Sequence, residues 1–182
     1  MSQKVLLNAK EVNIILHRLT CQLIENHKDF SETVLIGIQP RGIYLAQRIK
    51  SLLEEDYKIP NIKLGELDIT FFRDDFRRST KILEANKTRI DFLIEDKRVV
   101  LVDDVLYTGR SINSALTALQ SFGRPRHVEL LILIDRRFSR HLPIQPDYRG
   151  RQVDAINEEQ VKVHWKENNQ EDTIYLLQET EQ

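Results

Sequence analysis

Near the middle of the chain, two adjacent carboxylates follow four apolar residues and precede a short hydroxyl- and glycine-containing run: Val99-Val100-Leu101-Val102-Asp103-Asp104-Val105-Leu106-Tyr107-Thr108-Gly109-Arg110-Ser111. The apolar residues predict a rigid, buried strand. At its end, neighbouring side chains of extended backbone point different ways, which sets Asp103 and Asp104 to accept hydrogen bonds from vicinal hydroxyls, directly or through a hydrated Mg²⁺. Thr108 to Ser111 opens a helix, where backbone N–H groups, two hydroxyls and the positive end of the helix dipole converge on an anion such as phosphate. The acids and the anion cradle are about four residues apart, roughly 3.3 Å each when extended, a span that fits a ribose 5-phosphate. In the bland alternative, the acids cap a turn and Gly109 permits it. That would account for a lone Asp-Asp pair, whereas strand, acid pair and Thr-Gly-x-Ser in this order favour a ligand site.

These residues need elements to hold them. Asn8 with Glu11 forms a capping-box pattern, and Val12, Ile15, Leu16, Leu19, Leu23 and Ile24 recur at helical spacing, predicting an amphipathic helix over residues 9 to 27 with His17 and Cys21 at its boundary or surface. Thr33 to Ile38 reads as a buried strand entering the loop Gln39-Pro40-Arg41-Gly42, and Ile43 to about Glu54 as the next helix. Ile62 to Phe72 reads as a strand, residues 73 to 91 as a long charged excursion, and Arg98 to Val102 as the strand before the acids. A helix carrying Ile112, Ala115, Leu116 and Leu119 stops near Gly123-Arg124-Pro125, and Val128 to Ile134 is the next strand. The segment Arg136 to Arg151 is rich in Arg and His, after which Val161 to Trp165 and Thr173 to Leu177 read as short strands. Alternating strands and helices predict an α/β fold, a mainly parallel twisted sheet with helices on both faces and a small lobe formed by the late strands. Ligands of such sheets bind at the carboxyl ends of the strands.

Composition narrows the function classes. The 182 residues suit one domain; 41% are hydrophobic and 30% charged, enough to bury a core and to exclude wholesale disorder. A formal charge of −1 argues against coating nucleic acid through bulk charge, while leaving room for a local basic patch. Apolar runs are too short to cross a bilayer and no basic-then-apolar leader is present, so the chain reads as cytoplasmic. With Cys21 the single cysteine, internal disulfides and multi-thiolate metal sites fall away.

The residues from Val99 to Ser111 resemble the phosphoribosyl-pyrophosphate signature of type I phosphoribosyltransferases. Asp103 to Arg110 is especially similar to the bacterial pyrimidine-operon attenuation regulators that are also uracil phosphoribosyltransferases. Gly37-Ile38 with Arg41 to Ala46, Gly65 to Thr70 with Arg73-Asp74-Asp75, Gly123-Arg124-Pro125, Asp135-Arg136 and Leu142-Pro143-Ile144 extend the resemblance in the same order over roughly residues 10 to 178. It implies a single Rossmann-like phosphoribosyltransferase domain over residues 1 to 182, with a flexible flap at about 73 to 91 and a hood formed mainly by about 136 to 182. The implied reaction joins uracil to phosphoribosyl pyrophosphate, giving UMP and pyrophosphate, with Asp103, Asp104 and Arg73 as catalytic residues. Arg41, Gly42, Asp103, Asp104, Val105, Leu106, Tyr107, Thr108, Gly109, Arg110 and Ser111 would bind phosphoribosyl pyrophosphate or UMP, and Arg77 and Lys81 are further diphosphate clamps on the flap. Mg²⁺ is the implied cofactor, held by Asp103 and Asp104 through water. Related purine transferases place a proton-handling aspartate at the position of Tyr107; a phenol is a poor general base at neutral pH, so Tyr107 is assigned to shaping the loop.

The resemblance also implies binding of pyrimidine-operon messenger RNA and a homodimer or higher homo-oligomer. Arg18, Arg137, Arg140 and His141 are the RNA candidates, with Arg136, Arg149 and Arg151 nearby; salt bridges or subunit contacts are the equally simple alternative. Phe71, Phe72 and Phe76 would suit a subunit contact or core packing. This chain departs from the family pattern at Arg137 to His141, one residue longer than usual, and at Arg151 to Asp154. Both stretches belong to the expected hood over the base, so a regulator with little turnover and a transferase for another base, such as a purine, stay open as alternatives.

Overall fold

The computed structural model describes residues 2–73, 87–155, 159–168 and 171–178. Its first element, β1 (Ser2–Leu7), was not visible in the sequence pattern. Helix α1 (Ala9–His27) follows, opened by the expected capping box of Asn8 and Glu11. Next come β2 (Thr33–Ile38), α2 (Gly42–Ser51) and a single π turn at Leu52–Asp56 that completes the predicted helix with looser winding. Then β3 (Leu64–Leu67), β4 (Arg98–Leu106), α3 (Arg110–Leu119), β5 (His127–Arg136), β6 (Tyr148–Val153), β7 (Glu159–His164) and β8 (Thr173–Gln178) complete the order.

Five strands form the main sheet in the order β3-β2-β4-β5-β6, every neighbouring pair parallel. The order reverses between β2 and β4, and in a doubly wound sheet that reversal opens a crevice beyond the strand ends. Side-chain alternation along the strands divides the core in two. Leu35, Val100, Val102, Leu131 and Leu133 meet Leu16, Leu19 and Leu23 of α1 and Leu45 and Ile49 of α2. Val34, Ile36, Val99, Leu101, Leu130 and Ile132 meet Ile112, Ala115, Ala118 and Leu119 of α3. Each fully buried Leu or Ile contributes about 1.5–3 kcal/mol, so the central strands are the stiff part of the molecule. A second, antiparallel sheet, β1-β8-β7, holds the late strands.

Three boundaries differ from the sequence expectation. The strand expected from Ile62 to Phe72 ends at Leu67, because Asp68 Oδ1 accepts from the N–H and hydroxyl of Thr70 and bends the chain into a 3₁₀ turn at Thr70–Phe72. The strand expected to stop at Val102 runs on to Leu106, since β5 is long enough to pair with it as far as Leu106↔Asp135. Tyr148 to Val153, placed by sequence in the appended lobe, is the edge strand of the main sheet. Its Arg149 and Arg151 are exposed at that edge, which disguises a strand as an Arg-rich loop. Of the excursion, residues 87 to 91 are tied to β3 by the Glu66–Arg89 bridge, while Arg77, Lys81 and Phe76 lie outside the described residues.

Candidate functional site

The crevice at the strand reversal is framed by two turns. After β2, Gln39-Pro40 is a cis peptide and Arg41 is the N-cap of α2. Gly42 packs so closely on the end of β4 that a Cβ there would strike the carbonyl oxygen of Val102 and lie 2.9 Å from the Cα of Asp103. After β4, Gly109 sits at φ +90°, the left-handed region that an L side chain rarely adopts, and starts α3 without a side-chain cap. Neither α2 nor α3 has an acidic residue in its first turn, so both positive helix ends face the crevice uncompensated by their own side chains.

The two aspartates lie inside β4 and not beyond it, which corrects the expectation that they emerge from the strand end. They are nearly buried, Asp103 at 9% and Asp104 at 3% exposure, and they diverge. Asp103 lines a cavity of about 260 Å³ together with Arg73, Val105 to Ile112 and Ser114. Asp104 Oδ2 lies 3.1 Å from Arg41 Nε. That contact is ionic without an aligned hydrogen bond, so the buried oxygen keeps a free lone pair. The Oδ1 atoms do the capping that the bland reading allowed: Asp103 accepts from the N–H of Asp104 at 2.9 Å and Asp104 from that of Val105 at 2.8 Å. Pairing with β2 stops at Gly37↔Val102, and beyond it the side chains supply acceptors that a neighbouring strand would otherwise provide. Burial pushes both carboxyls above the usual range; the charge of Asp104 raises Asp103 further, and the guanidinium of Arg41 opposes the rise at Asp104.

Of the other predicted residues, Arg73 and every member of the run from Val105 to Ser111 line the same cavity. Arg41, Gly42 and Asp104 are not among its lining residues: Arg41, its side chain 52% exposed, meets Asp104 beside it. Tyr107 carries the guanidinium of Arg136 over its ring, 3.9 Å from the centroid. Arg136 is 4% exposed, so it leaves the set of surface contacts considered for RNA. Arg18 donates to the carbonyls of Arg149 and Gly150. Arg137 pairs with Asp154 through a two-point fork of 2.9 and 3.0 Å and lies over Phe138. Arg149 lies 3.3 Å from Asp135, and Arg151 donates to the carbonyl of Leu6. Arg140 donates to Asp135 and to the carbonyl of Tyr107, while His141, exposed, contributes its backbone N–H to the carbonyl of Thr108. The sequence offers Asp135 only as the residue after the apolar run Val128 to Ile134 and as part of the family resemblance; its burial at 4% beneath two arginines is what sequence reasoning missed, though an acid closing an apolar strand is the same signal that marks Asp103. Phe71 is 68% exposed and Phe72 41%. No helix among the described residues is long and apolar enough to cross a membrane.

The phosphoribosyl transferase domain model matches residues 2–168. Two curated relatives, each named Bifunctional protein PyrR, are 44% identical over 94% of this chain and 96% of their own length in Gloeothece citriformis, and 42% identical over 94% and 95% in Synechocystis sp.. Among solved structures, a hypoxanthine phosphoribosyl transferase of Trypanosoma cruzi superposes with a TM-score of 0.73 at 17% identity over 96% of this chain and 91% of that one. A hypoxanthine phosphoribosyltransferase of Staphylococcus aureus gives 0.68 at 20% over 94% and 90%, a likeness of fold. The domain match over residues 2–168 and relatives 44% and 42% identical along nearly the whole chain, on the parallel sheet described above, place this chain in the phosphoribosyltransferase family, among the relatives of Bifunctional protein PyrR.

Proposed function

We propose that the protein transfers the phosphoribosyl group of phosphoribosyl pyrophosphate to uracil, releasing pyrophosphate and forming UMP, and that it also binds pyrimidine-operon messenger RNA in a UMP-responsive way. The observation that carries the first half is the pairing, across one strand end, of buried Asp103 with the amide-rich turn Tyr107 to Ser111. The bifunctional naming of the relatives supports the second half.

In such a transfer the bond from C1 of the ribose to pyrophosphate breaks ahead of the new bond, so positive charge grows on the sugar and negative charge on the leaving group. The turn from Thr108 to Ser111 would hold the 5-phosphate by backbone N–H groups and two hydroxyls. Asp103 would accept from the ribose hydroxyls and place a negative charge near the developing cation. Arg41, the amide of Gly42 and Arg73 would meet the diphosphate, with Arg77 and Lys81 as further clamps from the flap; a guanidinium fork suits a departing diphosphate. Two buried carboxyls, one with an oxygen lacking an aligned donor, fit a divalent cation held partly through water and substrate oxygens. Mg²⁺ at Asp103 and Asp104 would supply charge neutralisation on the leaving diphosphate. The hood and the exposed Phe71 and Phe72 would cover the base and join subunits of a cytoplasmic homo-oligomer, and Arg18, Arg137, Arg140 and His141 are the residues to test for RNA contact.

Steady-state assays with phosphoribosyl pyrophosphate, Mg²⁺ and uracil, hypoxanthine or guanine test this reading. UMP formation from uracil is expected; a purine nucleotide as the main product would overturn the base assignment, and absence of any product would overturn the enzyme. A gel shift with operon leader RNA, with and without UMP, tests the regulatory half.

A further inference from the structure

Two consecutive carbonyls of the turn after β4 are tied to one segment that lies far along the chain. The carbonyl of Tyr107 accepts from Arg140 Nη1, and the carbonyl of Thr108 accepts from the N–H groups of His141 at 3.0 Å and Leu142 at 3.2 Å. Beneath them, a Cβ added at Gly109 would lie 3.2 Å from Ile144 and 3.4 Å from Leu142, so the same segment floors the turn. Arg140 is anchored at its other end on Asp135, a carboxylate 5% exposed that Arg149 also approaches. In a planar trans peptide the C=O and the N–H of the next residue point opposite ways. Fixing the carbonyls of Tyr107 and Thr108 on the 140–142 segment therefore turns the N–H groups of Thr108 and Gly109 away from it. Neither N–H has an acceptor among the described residues, and both residues line the cavity.

We propose that Arg140 is a positioning residue: with the backbone of His141 and Leu142 it forms a strut that holds two loop carbonyls outward and so presents the N–H groups of Thr108 and Gly109 to the phosphate of the donor. The inference rests on the reading that this turn takes the 5-phosphate. It gives Arg140 a role in substrate affinity distinct from contact with RNA.

The test is steady-state kinetics and equilibrium binding on the full chain carrying Arg140→Met, and separately His141→Pro, which deletes one N–H donor of the strut and keeps Arg140. The KM for phosphoribosyl pyrophosphate and the dissociation constant of UMP should each rise roughly ten-fold, the worth of a charge-assisted hydrogen bond, while the KM for uracil moves less than about two-fold. Arg140→Lys, which keeps the cation and one donor, should recover part of the loss. If wild-type protein binds phosphoribosyl pyrophosphate and both variants bind it equally well, the strut is overturned and the functional reading stands. Lack of binding by the wild type overturns both.

Discussion

Helices α1 and α3 begin in opposite ways. At α1, Asn8 accepts from the N–H of Glu11 at 3.0 Å and Glu11 accepts from the N–H of Asn8 at 2.9 Å, so the helix closes its own end. At α3, Gly109 offers no side chain and the first turn has no acid; the Arg110 N–H leans 3.4 Å from the Thr108 hydroxyl, and the N–H groups of Thr108 and Gly109 are left to whatever enters the crevice. One end is scaffold and the other is a socket. The difference lies in whether the sequence spends a polar side chain on its own backbone. The same contrast runs through Asp103 and Asp104, whose Oδ1 atoms serve neighbouring amides while the second oxygen of Asp104 keeps a lone pair for something else.

The largest expected effect comes from the acid that faces the cavity. Asp103→Asn should lower kcat by roughly a thousand-fold, as loss of a group matched to transition-state charge does. It should also make the protein more stable at neutral pH. The folded pKa of Asp103 lies above its ordinary value of 3.8, so the folded state holds its proton more tightly than the unfolded chain does. The resulting contribution to stability is present at low pH and is lost as pH rises from about the ordinary carboxylate value through the raised one. Urea unfolding of wild type and variant at pH 5 and pH 8 reads this directly; a wild type more stable than Asp103→Asn at pH 8 would contradict the burial argument. Next in size, Gly109→Ala forces a Cβ onto φ +90° and against Ile144, and should weaken UMP binding by about ten-fold or more with a stability loss of roughly 1–2 kcal/mol. Titration calorimetry with UMP checks the first part and thermal unfolding the second. Smallest, Asn8→Ala should cost about 1 kcal/mol of stability and leave kcat and both KM values unchanged, because it removes a cap that serves only the helix. A kinetic effect of Asn8→Ala equal to that of Gly109→Ala would erase the distinction between scaffold and socket.

Local signals carried much of this. The capping box of α1, the branched apolar runs of β2 and β5 and the strand-acid-glycine order of the crevice were readable because each is written in adjacent residues. What stayed hidden depends on distant partners. The inclusion of Asp103 and Asp104 in β4 follows from the length of β5, and Tyr148 to Val153 is a strand because β5 and α1 cover it, although its own residues alternate with exposed arginines. The two-sided role of Arg140 left no trace, since one of its acceptors is a main-chain carbonyl 33 positions away. The end of β3 at Leu67 was in principle legible from the Asp68-x-Thr70 turn and was outweighed by the apolar run around it.

The pairing of Ser2 with Gln178 in the antiparallel sheet joins residues separated by nearly the full sequence. Closing so long a loop carries a large entropic cost before any contact repays it, whereas the parallel core needs only shorter closures. β1 and β8 should accordingly zip together late in refolding and open first in the native protein. Amide hydrogens of Gln3 to Val5 should then exchange with deuterium far sooner than those of Val99 to Val102.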